Sequence, residues 1–347
     1  MSDLLLVSLG TTRGLRLADA QLVDMLRDAG ASVDAVATRI GLTNALRRAY
    51  PVNDGVEAIA TRRALRAGLR RHRPRAVVFS TTTAALLAGD PGLPFAVWLD
   101  SPARLNRPGV LNAPLHAIER RQLRRARVVM AWSPGTVDAL PAGAGPAVLI
   151  PPPLPAAPEP SAQREPIAIA YTPDPKAKGL GLLCAAWEQA ALPDARLLIA
   201  GIEPERARAF LERHATCLPP RAELVGMLPQ PEFRDLLSRA RAYVSAARWE
   251  DFGIAPLEAL DRGAVLVCAP AGGPFPALGV ARRLAPDHVA PDRRPGSLAG
   301  ALRAAFAGPE ERLAAYRAAA RAALEPYRPE ASVARLATEV LPALLGA

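Results

Sequence analysis

The sequence predicts an α/β protein built as two doubly wound halves, and three observations carry that reading. Short apolar runs alternate with longer helical patterns along the chain, the signature of βαβ units around a parallel sheet. A proline-rich stretch, Ile150 to Pro166, interrupts the pattern near the middle. The length, 347 residues with 50% hydrophobic content, suits about two domains that can each bury a core.

The opening "DLLLVSLG" has an acidic residue and only a short apolar run, so it reads as a first strand rather than a signal peptide. A helix over Leu17 to Ala29 carries apolar Leu22, Val23 and Leu26 and meets Gly30 in the C-capping place. "SVDAVAT", "AVVFST", "FAVWLD" and "RVVMAWS" follow as strands and complete the first half. Among them "TRRALRAGLRRHRPRA", Thr61 to Ala76, predicts a basic helix with Ala64, Leu65, Gly68 and Leu69 on one face. That helix either packs on the sheet with its arginines solvated or docks on anionic lipid.

Ile150 to Pro166 is too rich in proline for helix or strand, and polyproline geometry suits a stiff spacer. The expected organisation is a first domain over 1–153, a linker over 154–165, a second domain over 166–328, and a C-terminal helix over 329–347 that packs back on the first domain. The second half contributes "IAIAYT", "RLLIAG", "AELVGM", "AYVSAA" and "AVLVCAP" as strands, with the clearest helices over Gly179 to Ala191 and Pro231 to Arg241. Two such halves place a ligand-binding cleft at the carboxyl ends of their sheets.

Composition narrows the chemistry. The net charge of +10 favours anionic partners: phosphorylated substrates, an acidic membrane surface or nucleic acid. Aromatic residues are only 5% and do not interleave with the basic runs, which argues against nucleic acid. Of the 43 lysines and arginines only Lys176 and Lys178 are lysines, both in "YTPDPKAKGLGLL" just before Gly179. A lysine kept against that composition suits a mobile point charge that follows phosphate oxygens. The cysteines, Cys184, Cys217 and Cys268, are odd in number and lack CxxC spacing, so they fit a reducing cytoplasm and form no zinc site. Cys184 and Cys268 lie in apolar runs and read as core. His72, His116, His214 and His288 sit among charged or loop residues without ligand spacing and read as surface. The longest uncharged stretch, Gly263 to Ala281, is broken by Pro270, Pro274 and Pro276 and does not read as a membrane span.

The most specific segment is "RWEDFGIAPLEALDRGAVLVCAPAGG", Arg248 to Gly273. Glu250 and Glu258 enclose seven residues that include Phe252 and Gly253. Pro256 predicts a helix start, with Glu258 in the first turn and Gly263 at the end. Amides around Gly253 and Ile254, with the positive end of that helix, form a cradle for phosphate oxygens.

These residues resemble the GT-B glycosyltransferases, in particular the retaining, family 4-like group 1 glycosyl transferases with a Glu-x7-Glu motif and Phe-Gly inside it. The resemblance implies the GT-B fold, two Rossmann-like doubly wound domains facing a central cleft. It implies that Glu250 contacts the donor sugar, Glu258 binds the ribose hydroxyls of the nucleotide, and Lys178 binds the donor diphosphate. Gly272 and Gly273 look like the donor-sugar loop. The likeness covers about Ile167 to Leu345 and is weak in the first half. There, Arg13 in "GTTRG" is a candidate phosphate or acceptor contact, and Asp100 stands where the family often places an acceptor-side or catalytic polar residue.

The chain departs from the family at three places. Tyr171 and Thr172 stand where Gly-Arg is usual, so a second basic contact is missing or is supplied by Lys176. Pro274, Phe275 and Pro276 stand where Val-Pro-Glu is common, and Asp251 follows Glu250 in place of glycine.

The activity implied is transfer of a sugar from a nucleoside diphosphate donor to a sugar, lipid-linked or small-molecule acceptor with retention. No two aspartates are two positions apart, so Asp-x-Asp metal chemistry is not expected, nor any cofactor beyond the donor. The expected place is the cytoplasm, with peripheral contact at the inner face of the membrane through the basic first domain. Two other readings use the same scaffold. A nucleotide-sugar epimerase would need acid and base residues in the cleft. A non-catalytic nucleotide-sugar-binding protein on a degenerate scaffold is suggested by the missing Gly-Arg. A glycosidase needs two carboxylates across the bond, and the Phe-Gly and Lys-Gly context argues against one.

Overall fold

The computed structural model describes residues 2–11, 13–38, 52–158 and 164–346. The chain divides into two compact units: unit 1 is Met1–Pro153 with Pro326–Ala347, and unit 2 is Leu154–Glu325.

Unit 1 contains, in chain order, β1 (Leu4–Ser8), α1 (Arg13–Asp28), β2 (Val33–Ala37), α2 (Val52–His72), β3 (Ala76–Phe79), α3 (Thr82–Ala85), β4 (Phe95–Leu99), α4 (Ala103–Asn106), α5 (Ala113–Arg125), β5 (Val128–Ala131), α6 (Pro134–Asp138) and β6 (Ala147–Leu149). Among the described residues the strands form one six-stranded parallel sheet in the order β2-β1-β3-β4-β5-β6. Strands β1, β3, β4 and β5 are buried along their whole length. Helices on both faces of a parallel sheet require that, and it explains why these strands stand out in the sequence as unbroken apolar runs. Strand β6 was not anticipated: three residues, the first exposed, make no readable run.

The basic helix packs on this sheet. A Cβ on Gly68 would lie 2.8 Å from Leu5 and 3.1 Å from Val36, so the glycine lets α2 approach β1 and β2 closely. Arg62, Arg63, Arg66, Arg70 and Arg71 remain exposed on its other side. Trp98, fully buried in β4, donates its indole N–H to the Ile150 carbonyl at 2.6 Å and tilts against Trp132.

Unit 2 continues with β7 (Glu165–Tyr171), α7 (Leu180–Ala190), β8 (Arg196–Ala200), α8 (Pro204–Arg213), β9 (Ala222–Gly226), α9 (Gln230–Arg239), β10 (Ala240–Ser245), α10 (Ile254–Asp261), β11 (Val265–Cys268), α11 (Pro276–Leu284), α12 (Pro295–Ala307) and α13 (Glu310–Ala322). Its five described strands are parallel in the order β11-β10-β7-β8-β9. The first strand of the unit therefore neighbours the fourth, and the winding reverses between β7 and β10. In doubly wound sheets ligands bind outside the carboxyl ends of the strands at such a reversal. The chain then returns to unit 1 through α14 (Pro329–Arg335) and α15 (Leu341–Leu345), joined by a π-helical turn over Leu336–Val340.

Of the proline-rich linker, 159–163 lie outside the described residues. Its first part is fastened to unit 2: Ala157 N–H donates to Asp261 at 2.7 Å, and Arg321 donates to the carbonyls of Ala157 and Pro158 at 3.0 and 3.1 Å.

Two expectations change. His288 is 1% exposed, not a surface residue. The turn after α11 sends Asp287 outward to Arg312 at 2.8 Å while His288 turns in beside Tyr316, and burial lowers its pKa. The helix carrying Glu258 begins at Ile254 rather than at Pro256, because Gly253 takes a left-handed conformation, φ 78°, and turns the chain directly into it. Pro256 is tolerated as the third helical residue because the first amides of a helix have no intrahelical acceptor. Glu258 thus stands two residues further in than expected, in the second turn rather than the first. Cys184 and Cys268 are buried, as expected, and Cys217 is exposed. Among the described residues no helix is long and apolar enough to cross a membrane.

Candidate active site

Two loops flank the reversal of unit 2's sheet, one after β7 and one after β10. Asp174 shapes the first. Its Oδ1 accepts from the backbone N–H groups of Lys176 and Ala177 at 3.0 and 2.8 Å, a turn in which aspartate mimics backbone. The Ala177 carbonyl accepts from Arg248 N–H at 2.9 Å, tying this loop to the second. Gly179 then opens α7 with φ 71°, and a Cβ there would lie 2.1 Å from the Ala246 carbonyl oxygen. Only glycine meets both demands. Lys178, one residue earlier, reaches across and donates from Nζ to Glu250 Oε1 at 2.6 Å.

The second loop is held from behind. Gly272 N–H donates to the Arg248 carbonyl at 3.0 Å, and Glu250 N–H donates to the Gly272 carbonyl at 3.1 Å, a short parallel bridge. A Cβ on Gly273 would lie 2.2 Å from the Glu250 carbonyl oxygen. Arg293 donates to the carbonyls of Ala246, Ala247 and Pro270 at 2.6 to 2.8 Å, which locks the ends of β10 and β11 together.

Glu250 is 9% exposed. Burial raises its carboxyl pKa, and the Lys178 ammonium acts against that rise. Glu258, 8% exposed on α10, accepts at Oε1 from Nε and Nη2 of Arg234 at 3.0 and 2.7 Å. The residues that depart from the resemblance have a packing role: Phe275 is buried with its ring 2.8 Å from where a Cβ on Gly253 would sit, and Pro276 begins α11.

The structure thus brings Lys178, Glu250, Gly272 and Gly273 together, with Gly253 and a 45% exposed Ile254 at the start of α10. Lys176 is exposed and takes no part in the Lys178–Glu250 pair. Asp100 and Arg13 belong to unit 1. Asp100 follows β4, where its Oδ1 accepts from Ser101 N–H at 2.7 Å and its carbonyl accepts from the Thr136 hydroxyl. Arg13 begins α1, and its side chain lies outside the described residues. An ammonium and a buried carboxylate side by side, next to the N-termini of α7 and α10, supply charge for an anion and an acceptor for hydroxyl groups.

Residues 156–322, nearly the whole of unit 2, match the model of the family described as glycosyl transferases group 1. That segment belongs to the group 1 glycosyl transferases. No curated protein sequence matches the chain. Solved structures agree in fold over both units. Sucrose-phosphate synthase from Thermosynechococcus elongatus superposes with a TM-score of 0.73 at 16% identity, covering 96% of each chain. Anabaena HepE, solved with UDP and glucose, gives 0.69 at 15% identity, covering 97% of this chain and 98% of that one. A Rickettsia africae glycosyltransferase gives 0.68 at 14% identity, covering 99% and 98%. The fold is GT-B.

Sequence reasoning missed several groups, some around this candidate site in unit 2 and one in unit 1. Arg234 is one helical arginine among many, and only the packing of α9 on α10 selects it. Arg293 acts on carbonyls, which leave no sequence signal. Gly201 has a legible one, a glycine ending an apolar run: a Cβ there would lie 2.5 Å from the Tyr171 ring, so the glycine leaves room for that ring at β8's end. In unit 1 the carboxyl of Asp19 accepts from Ser8 and Ser80 beyond the carboxyl ends of β1 and β3, and burial raises its pKa to about 6.

Proposed function

We propose that this glycosyltransferase moves a sugar from a uridine diphosphate donor to an acceptor hydroxyl with retention of anomeric configuration and without a metal ion. The observation that carries the reading is the Lys178–Glu250 pair at the reversal of unit 2's sheet, inside the family segment. The uridine nucleotide is suggested by similar folds: HepE was solved with UDP and glucose, and the pneumococcal O-GlcNAc transferase GtfA with UDP and GlcNAc.

In this reaction the bond between the anomeric carbon and the diphosphate oxygen breaks, and a bond from that carbon to the acceptor oxygen forms on the same face. The acceptor proton passes to a departing phosphate oxygen. Lys178 meets the charge that develops on the diphosphate, aided by the N-termini of α7 and α10. Before the donor arrives, Lys178 and Glu250 neutralise each other. The diphosphate then claims the ammonium, and Glu250 turns to the sugar hydroxyls and orients them without becoming a nucleophile. Glu258 holds the ribose hydroxyls, and Arg234 fixes its orientation. Gly272 and Gly273 leave room for the sugar.

A thermal melt with UDP, GDP, ADP and TDP tests the donor assignment without knowledge of the acceptor. UDP at 100 times its dissociation constant stabilises a fold by about 2.7 kcal/mol. The expected result is a shift with UDP alone, lost in Glu258→Ala, together with slow release of sugar from a UDP-sugar that Lys178→Ala abolishes. A shift without any sugar release would point to a binding protein; no shift with any nucleotide would overturn the donor assignment.

A further inference from the structure

The two most exposed large apolar residues of the described chain are neighbours: Val110 is 87% exposed and Leu111 89%. They stand at the tip of the segment between α4 and α5 in unit 1. Single exposed apolar residues need no explanation. This pair differs in three ways.

Its base is fixed. Arg107 donates to both carboxylate oxygens of Asp54 on α2, at 2.7 and 3.0 Å, and Asp54 is 1% exposed. The Arg107 carbonyl accepts from the Asn112 amide at 3.1 Å and bonds the His116 ring at 2.9 Å. Gly109, φ 106°, then turns the chain outward. A segment anchored this firmly has had its two apolar side chains placed in solvent rather than left there by looseness.

The surface behind the tip changes character along α5. Ala113, Pro114, Ala117 and Ile118 continue the exposed apolar surface, and Arg120, Arg121 and Arg124 follow, also exposed. At 1.5 Å per helical residue, Pro114 and Arg121 are about 10 Å apart along the axis. With that axis along the membrane normal the apolar end would lie about 10 Å deeper than the arginines, comparable with the depth of about 5–10 Å to which apolar faces of interfacial helices are buried. The neighbouring α2, tied in by Asp54, repeats the order on its outward face: Val52 and Ile59 are 52% and 48% exposed, ahead of exposed Arg63 and Arg66.

The charge is lopsided. Unit 1 has 22 arginines against 13 acidic residues, whereas unit 2 has 21 basic residues against 20 acidic ones. Almost all of the protein's net positive charge therefore sits on the unit that carries the tip.

We propose that the Val110–Leu111 tip is a wedge that seats unit 1 on an anionic phospholipid surface, with the side chains of the tip among the acyl chains and the arginines of α5 at the phosphates. Nucleic acid would engage the arginines but offers nothing to a bare Val-Leu pair. A bilayer accepts both at the spacing observed, and each arginine near an anionic surface adds an attraction that salt screens.

The test is sedimentation of the full chain with vesicles of phosphatidylcholine alone and of phosphatidylcholine with phosphatidylglycerol in equal parts. The expected result is binding to the mixed vesicles that weakens with salt, and little to the neutral ones. The double variant V110D/L111D should need about tenfold or more lipid. R120E/R121E should lose the preference for anionic vesicles. All of these side chains are exposed, so an unchanged melting curve shows that the fold is intact. As an independent readout, Leu111→Trp should shift its fluorescence to the blue on mixed vesicles. Equal binding by the wild type and V110D/L111D, or failure of the wild type to bind mixed vesicles at low salt, would overturn the proposal, the second pointing to a protein partner at the tip.

Discussion

Glu250 sits where two demands conflict. The proposed reaction needs its carboxylate as an acceptor, yet the place is buried and disfavours charge. Because burial raises its folded-state pKa above the ordinary 4.5, the folded protein binds this proton more tightly than the unfolded chain does. The stability contributed by that proton is present at low pH and is lost as pH rises through the folded pKa, so at neutral pH the ionised group weighs against folding. Glu250→Gln keeps the shape and removes the charge, and Lys178, 25% exposed, can turn to water. We expect this variant to melt at a slightly higher temperature than the wild type at pH 7, with the gap closing toward pH 4, and to lose most of its turnover. A lower melting temperature at pH 7 would mean that the ion pair outweighs the burial. The two glutamates could be read from sequence because their spacing is local. Lys178 could be read as well, from its scarcity and the Lys-Gly likeness, but the pairings could not: Lys178 and Arg234 lie 72 and 24 residues from Glu250 and Glu258, and only sheet order and helix packing join them.

At the scale of elements, the site depends on backbones that pass within van der Waals contact. Gly179 against Ala246 and Gly273 against Glu250 are the two places where the loops touch with no room for a Cβ, each with φ above 70°. We expect Gly179→Ala to destabilise unit 2 by about 2–4 kcal/mol, from left-handed strain together with overpacking. Lys178→Ala removes a side chain that is 25% exposed, and the Glu250 carboxyl it leaves can take up a proton, so it should change stability less while damaging activity as much. Chemical denaturation of both variants separates the effects, and equal stability of the two would refute the view that the glycine positions the lysine. The same scale explains what the sequence could convey. Buried parallel strands appear as apolar runs because both faces are covered, whereas β6 is three residues and makes no run. The start of α10 was misplaced because a proline is a visible helix signal, while Gly253 sets the start through a conformation that the sequence only permits.

The whole molecule is not two consecutive beads. The chain leaves unit 1 at Pro153, builds unit 2, and returns at Pro326 to complete unit 1. The returning segment is part of the core: Leu336, Val340, Leu341 and Leu344 are all at most 9% exposed. It is also tied by its backbone, since Arg75 donates to the Leu345 carbonyl at 2.9 Å, Arg127 to that of Ala343 at 3.2 Å, and Arg335 donates to the Leu149 carbonyl at 3.0 Å. Burying four aliphatic side chains contributes about 6–12 kcal/mol at about 1.5–3 each, as much as the net stability of about 5–15 kcal/mol that holds a typical domain. A chain ending at Glu325 keeps every residue of the family segment and of the Lys178–Glu250 site. We expect unit 2 of that chain to stay folded and bind UDP with near wild-type affinity, while unit 1 unfolds and is digested by protease down to a resistant fragment starting near Leu154. Transfer to an acceptor would then be lost although nucleotide binding survives. Protection of residues before Pro153 in the shortened chain would show instead that the sheet of unit 1 stands without its last helices.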